Sequence, residues 1–124
     1  MEIKGCGVDL IEIHRIEKAM AKQRFRERVY TQGEQEYLAD KQPQSWAARF
    51  AAKEAVMKAL GTGWQQGIGF SQIEVKADAL GKPLVHLTGR ALELAEEQGI
   101  HSLFLSLSHS GDYAIAYVIA VGKE

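Results

Sequence analysis

Residues 49–59 read Arg-Phe-Ala-Ala-Lys-Glu-Ala-Val-Met-Lys-Ala. Alanine recurs at 47, 48, 51, 52, 55 and 59, so the spacing predicts a thin helix that other elements can approach closely. The same helix carries Lys53, Glu54 and Lys58. A buried helix seldom keeps a carboxylate and two ammonium groups unless they meet partners. Glu54 and Lys58 lie one turn apart, on the face of Phe50. An acid and a base side by side on an apolar helix point to a metal ion next to a phosphate.

The elements around this helix follow from local signals. Ser45 is a plausible N-cap and Gly61 a left-handed C-cap, which predicts a helix from about Ser45 to Leu60. Ahead of it, Ile3–Val8 reads as a strand in which Gly5 and Gly7 permit close backbone approach. Asp9 and Glu12 have capping-box spacing, which predicts a helix starting near Asp9 or Leu10 with Ile13, Ile16 and Met20 as its apolar stripe. Thr31 and Glu34 repeat that spacing and predict a short helix over Gln32–Ala39. The second half alternates as strands over Gln72–Lys76, Pro83–Leu87, Leu103–His109 and Tyr113–Val121, with a helix over Gly89–Gln98. Ser110-Gly111-Asp112 is a hairpin turn between the last two strands. The expected class is α+β, a mostly antiparallel sheet with helices packed on it, as one domain over residues 1–124.

No apolar run approaches the ~20 residues of a membrane span. The N-terminus lacks a signal-peptide pattern, and Cys6 has no cysteine to pair with, so a reducing cytoplasm is expected. The net charge of −1 hides a local imbalance. Arg15, Lys18, Lys22, Arg24, Arg26 and Arg28 face only Glu17 and Glu27 along the same stretch. Such a run serves an acidic protein, a phosphate-rich ligand or nucleic acid, or is simply a solvated helix face.

Asp9 reads either as an N-cap or as a metal ligand, and Glu54 either as an ion-pair partner of Lys58 or as a second ligand. Two carboxylates with waters and substrate phosphates suit Mg²⁺. Lys58 is a snorkelling surface lysine or a phosphate contact, and Gly61-Thr62-Gly63 a helix stop or a phosphate cradle. His109 shares the parity of Leu103, Leu105 and Leu107, which places it at the core edge beside the hairpin turn. No zinc spacing, nucleophile elbow or phosphate-loop motif is present.

Gly7-Val8-Asp9, Arg49-Phe50-Ala51-Ala52-Lys53-Glu54-Ala55 with Lys58-Ala59, and Gly61-Thr62-Gly63 resemble the holo-[acyl-carrier-protein] synthases. These are the short, single-domain type of the 4′-phosphopantetheinyl transferase superfamily. Gly81-Lys82-Pro83 and Ser106-Leu107-Ser108-His109-Ser110 match later motifs, so the resemblance spans nearly the whole chain. It implies transfer of the 4′-phosphopantetheine arm of coenzyme A to a serine of an acidic apo-acyl carrier protein, in support of fatty acid biosynthesis. Adenosine 3′,5′-bisphosphate is the other product. It implies Mg²⁺ on Asp9 and Glu54, with Lys58 and His109 completing the catalytic set and Glu54 first candidate for the base. It further implies coenzyme A contacts from Arg49, Lys58, Gly61, Thr62, Gly63, Lys82, Pro83 and His109. Carrier-protein contacts are expected from Arg15, Lys22, Arg24 and Arg28, with no nucleic acid or membrane partner. The type forms trimers with active sites between subunits. Two rivals stay open on the residues alone: a Mg²⁺-dependent pyrophosphate hydrolase, and a non-catalytic module that binds acidic helices.

Overall fold

A computed structural model of the protein describes residues 1–61 and 67–123. Thr62 and Gly63, two of the expected coenzyme A contacts, lie outside these described residues. Strand β1 spans Glu2–Glu12, β4 spans Ile100–Ser110 and β5 spans Tyr113–Gly122. They form an antiparallel sheet in the order β1-β5-β4, so the last strand of the chain is its centre. Gly111 takes the left-handed turn position expected of it, at φ 58°.

The start of the first helix differs from the sequence reading. Asp9 is not an N-cap; it lies inside β1, and the ladder to β5 continues through Asp9↔Ala116, Leu10↔Ile115, Ile11↔Ala114 and Glu12↔Tyr113. A run of ladder pairs outweighs the single bond that a cap would supply. Helix α1 therefore spans Ile13–Met20, and the Ile13 N–H donates to the Asp112 carbonyl of the hairpin turn (2.8 Å). The basic stretch also breaks into two helices, because α2 restarts at Gln23 and runs to Val29. Arg26 braces that break by donating to the Met20 carbonyl (2.6 Å).

Helix α3 spans Gln32–Leu38 with both bonds of the Thr31–Glu34 capping box made. The central helix α4 spans Pro43–Ala59, and Pro43 rather than Ser45 marks its start. Proline is favoured there, since its fixed φ suits the first turn and its missing N–H would have had no partner. Leu60 caps the other end and Gly61 turns left-handed at φ 72°.

The α4 alanines are buried against the sheet, and Gly5 and Gly7 of β1 receive them. A Cβ on Gly5 would overlap the Ala59 carbonyl oxygen, and one on Gly7 the Ala55 carbonyl oxygen. The helix and strand backbones thus touch directly, closer than ordinary side chains allow.

A 3-10 turn at Phe70–Gln72 leads into a second, two-stranded antiparallel sheet of β2 (Ile73–Ala77) and β3 (Pro83–Leu87), followed by α5 (Gly89–Glu97). Strand β4 begins at Ile100, three residues before the alternation predicts.

Lys53 and Glu34 join these parts. Both side chains are fully buried. The Lys53 Nζ donates to Glu34 Oε1 (2.7 Å) and to the carbonyls of Phe70 (3.1 Å) and Ile73 (2.6 Å). Glu34 in turn accepts from the Thr31 and Val75 N–H groups (2.9 and 2.8 Å). Burial pushes the Lys53 ammonium below the usual lysine range, and the Glu34 charge opposes that shift. No helix among the described residues is long and apolar enough to cross a membrane.

The contact at Gly7 is testable. Gly7→Ala should lower stability by about 1–3 kcal/mol, the usual cost of forcing atoms into a packed interior. Gly69→Ala is the control, since a Cβ there meets nothing within 4 Å. Urea melts of the two variants would check this; equal stabilities would refute it.

Candidate active site

Gly7 sits two residues before Asp9, and Ala55 directly follows Glu54. Their backbone contact therefore carries Asp9 of β1 and Glu54 of α4 into one cavity of about 350 Å³. Arg15 of α1 and Arg28 of α2 line it too, together with Phe25, Phe50 and Phe70. Burial raises the Glu54 carboxyl above the usual carboxylate range, and the neighbouring Asp9 charge raises it further. Lys58 and Arg15 pull it back down.

Lys58 is ion-paired with Asp9 (Nζ–Oδ1 3.3 Å) rather than with Glu54. Its ammonium also donates to the Val8 carbonyl (2.9 Å). Both bonds hold the Lys58 head against β1 beside Asp9. The site thus sets two carboxylates against the cations Arg15, Arg28 and Lys58 in a half-buried setting. Among the described residues no group of three or more His, Cys, Asp or Glu gathers as a metal cluster. Asp9 and Glu54 would bind as a carboxylate pair.

The aromatic wall was not foreseen from the sequence. Phe25 and Phe50 stack at 6.0 Å, and Phe50 and Phe70 at 5.3 Å. In the sequence Phe50 shares a helix face with Glu54 and carries no further signal. Phe25 and Phe70 lie on other elements, and no periodicity links them.

The basic residues divide over two grooves beside this cavity. Arg15, Lys18 and Lys22 line one along α1; Lys22, Arg24 and Arg28 line another with Phe25. Arg15 and Arg28 belong to these grooves and to the carboxylate cavity, so the basic surface runs into the site.

Other expected site residues lie apart. Arg49 is buried at 7 % exposure, with its guanidinium 4.6 Å from the Tyr37 ring centre and its Nε without a hydrogen-bond partner. Five residues before Glu54, it points about 140° away around the helix. Lys82 and Pro83 line a separate groove between β3 and β4. His109 keeps the parity of the β4 leucines but is exposed, beside Ala114 at the hairpin end. It stands two strands from β1, on the order of 10 Å from Asp9 across the sheet.

Comparison with known proteins gives this geometry its class. The sequence profile of the 4′-phosphopantetheinyl transferase superfamily matches residues 5–118. The holo-[acyl-carrier-protein] synthase of Ruminiclostridium cellulolyticum is 47% identical over 124 residues, covering 95% of this chain and 92% of the relative. The crystal structure of holo-[acyl-carrier-protein] synthase from Neisseria meningitidis superposes with TM-score 0.85 at 39% identity, covering 97% of this chain and 99% of that one. That of the Helicobacter pylori synthase, in complex with coenzyme A, gives TM-score 0.82 at 35% identity, covering 94% and 99%. The chain belongs to the 4′-phosphopantetheinyl transferase superfamily, among its holo-[acyl-carrier-protein] synthases. It is a transferase of fatty acid biosynthesis that moves phosphopantetheine from coenzyme A to acyl carrier protein.

Proposed function

We propose that the carboxylate cavity is where the transfer takes place, with Glu54 as the base and Asp9 as its partner carboxylate. The observation that carries this is the placing of Asp9 and Glu54 in one half-buried cavity, where burial and then the Asp9 charge raise the Glu54 carboxyl. A carboxyl raised toward the working pH is better suited to take a proton than an ordinary one. The carrier serine Oγ attacks the β-phosphorus of coenzyme A. The bond from that phosphorus to the bridging oxygen breaks, and adenosine 3′,5′-bisphosphate leaves. Glu54 takes the serine proton. Lys58 sets positive charge beside the phosphates as negative charge moves onto the leaving oxygen.

The pair also fits Mg²⁺. Two adjacent carboxylates bind that ion while leaving room for waters and phosphates. Asp9 and Glu54 would hold it, and when bound it supplies charge neutralisation at the diphosphate.

Coenzyme A binding is supported by the Helicobacter pylori relative, whose structure is a coenzyme A complex. Gly61, Thr62 and Gly63 follow the helix that carries Lys58, and Lys82, Pro83 and His109 complete the contacts.

In one chain Lys82, Pro83 and His109 lie away from the carboxylate cavity. A homotrimer with sites between subunits resolves this, since a neighbouring copy can bring the second group to the first. The outer sheet face offers such a contact: Val8, Leu10, Phe104, Ile115 and Tyr117 are all exposed on it. A cytoplasmic location accords with the exposed free thiol of Cys6.

The α1–α2 surface takes the acidic carrier protein, because Arg15 and Arg28 line both its grooves and the cavity. Charge complementarity there governs association more than chemistry.

Incubation with apo-carrier protein, coenzyme A and Mg²⁺ tests the assignment by intact mass. The native chain should add the phosphopantetheine arm, and Glu54→Gln should lose that activity while keeping its fold; normal turnover by the variant would remove Glu54 from the mechanism. Arg15→Glu should weaken carrier-protein binding far more than coenzyme A binding in calorimetric titrations, and equal losses would contradict the docking surface. Sedimentation equilibrium should give the mass of three chains, and a monomeric active enzyme would rule out shared sites.

A further inference from the structure

Lys53 is the one charged residue of the central motif without a part in the transfer. It neighbours Glu54 in sequence, but its side chain turns inward and is fully buried. We propose that Lys53 is a positioning residue, whose ammonium pins the Phe70 backbone to α4 and so holds the aromatic wall that half-buries Glu54. The proposal rests on reading Glu54 as the reacting carboxylate.

An ammonium group has three donors, and here each has an acceptor. One goes to Glu34 Oε1, and the other two go to the carbonyls of Phe70 and Ile73 (3.1 and 2.6 Å). Those carbonyls bracket the 3-10 turn at Phe70–Gln72. Gln72 binds the same turn to α5, accepting from the Ala91 N–H at its side chain (3.1 Å) and from the Thr88 N–H at its backbone (2.9 Å). The turn is thus drawn to α5 through Gln72 and to α4 through Lys53.

The link to Glu54 runs through rings. Phe70 stacks on Phe50 at 5.3 Å, and Phe50 lies one helical turn before Glu54. All three line the cavity with Asp9. An apolar wall keeps water from the carboxylates and strengthens every charge interaction made there. Phe70 belongs to a different element from Glu54, so its place beside that carboxylate depends on what joins the two elements, ring stacking and hydrogen bonds together. Lys53, the next residue along α4, makes two such bonds. Stability alone is a poor reason for the charged pair, since buried ion pairs are often replaceable by neutral residues without loss.

The test removes the charge while keeping the volume. Glu34→Gln/Lys53→Met removes both charges, keeps one amide oxygen as acceptor for one of the two backbone N–H groups at Glu34, and leaves no ammonium for the two carbonyls. A second variant, Phe70→Leu, leaves every Lys53 bond to backbone in place and removes the ring. Calorimetry establishes that each folds, and steady-state kinetics then separates kcat from KM. For both variants kcat should fall about tenfold to a hundredfold, the range expected of small misplacements. KM for coenzyme A and for carrier protein should stay within about threefold, because the tie acts on the reacting step. Wild-type kcat in either folded variant overturns the proposal, and so does a loss confined to KM. Glu54→Gln in the native background is read separately: its normal turnover would overturn the base assignment on which the proposal stands, whatever the other variants do.

Discussion

The direct contact between the β1 backbone and the α4 backbone governs this structure. Gly5 and Gly7 meet the carbonyls of Ala59 and Ala55, with no side chain between them. That contact sets the helix on the sheet at a fixed depth and register. Asp9 and Glu54 follow from it, since each lies within two residues of the Gly7–Ala55 contact. The carboxylates repel and would not associate on their own account; apolar packing and backbone contact bring them together. The chemistry is therefore built on small residues that take no part in it.

A second constraint works at right angles to the first. Lys53 reaches Glu34 of α3 and the carbonyls at 70 and 73, so one ammonium joins three separated parts of the chain. Glu34 has two tasks, closing the α3 capping box through Thr31 and accepting the Val75 N–H at the edge of β2. On α4, Lys53 and Glu54 are consecutive charged residues with opposite fates, one wholly buried as a brace and one half-exposed in the cavity.

Much of this was legible in the sequence where the signal was local. The Thr31–Glu34 box, the Gly61 cap, the β3 strand and the final hairpin all depend on neighbours a few residues apart. The thin alanine helix and the glycines facing it were legible as well, because residue size alone implied close approach. The spacing of Asp9 to Glu12 is a true local pattern for a cap, which was one of its two readings; the β5 ladder that overrides it comes from more than 100 residues away. Ser45 lost to Pro43 by two residues, the usual scale of error at a helix end. The Phe25–Phe50–Phe70 wall and the Lys53 brace had no local signature, since each joins elements that meet only in the folded chain. Asp9 and Glu54 come together as the sequence implied, and Arg15, read there only as a carrier-protein contact, joins them in the cavity. His109, Lys82 and Pro83 stand elsewhere on the surface of the same chain.

The sheet order has a consequence for how the chain comes into being. Strand β1 is made first and β5 last, yet β5 lies between β1 and β4. Nothing can occupy the centre of that sheet until β5 has left the ribosome. At about 5–20 residues per second, β1 waits roughly 5–20 s for its partner. During that interval its glycines leave the backbone pliant, and Val8 and Leu10 have no strand beside them. The sheet is thus completed only once β5 has been made, and β1 must keep its pairing edge open until then.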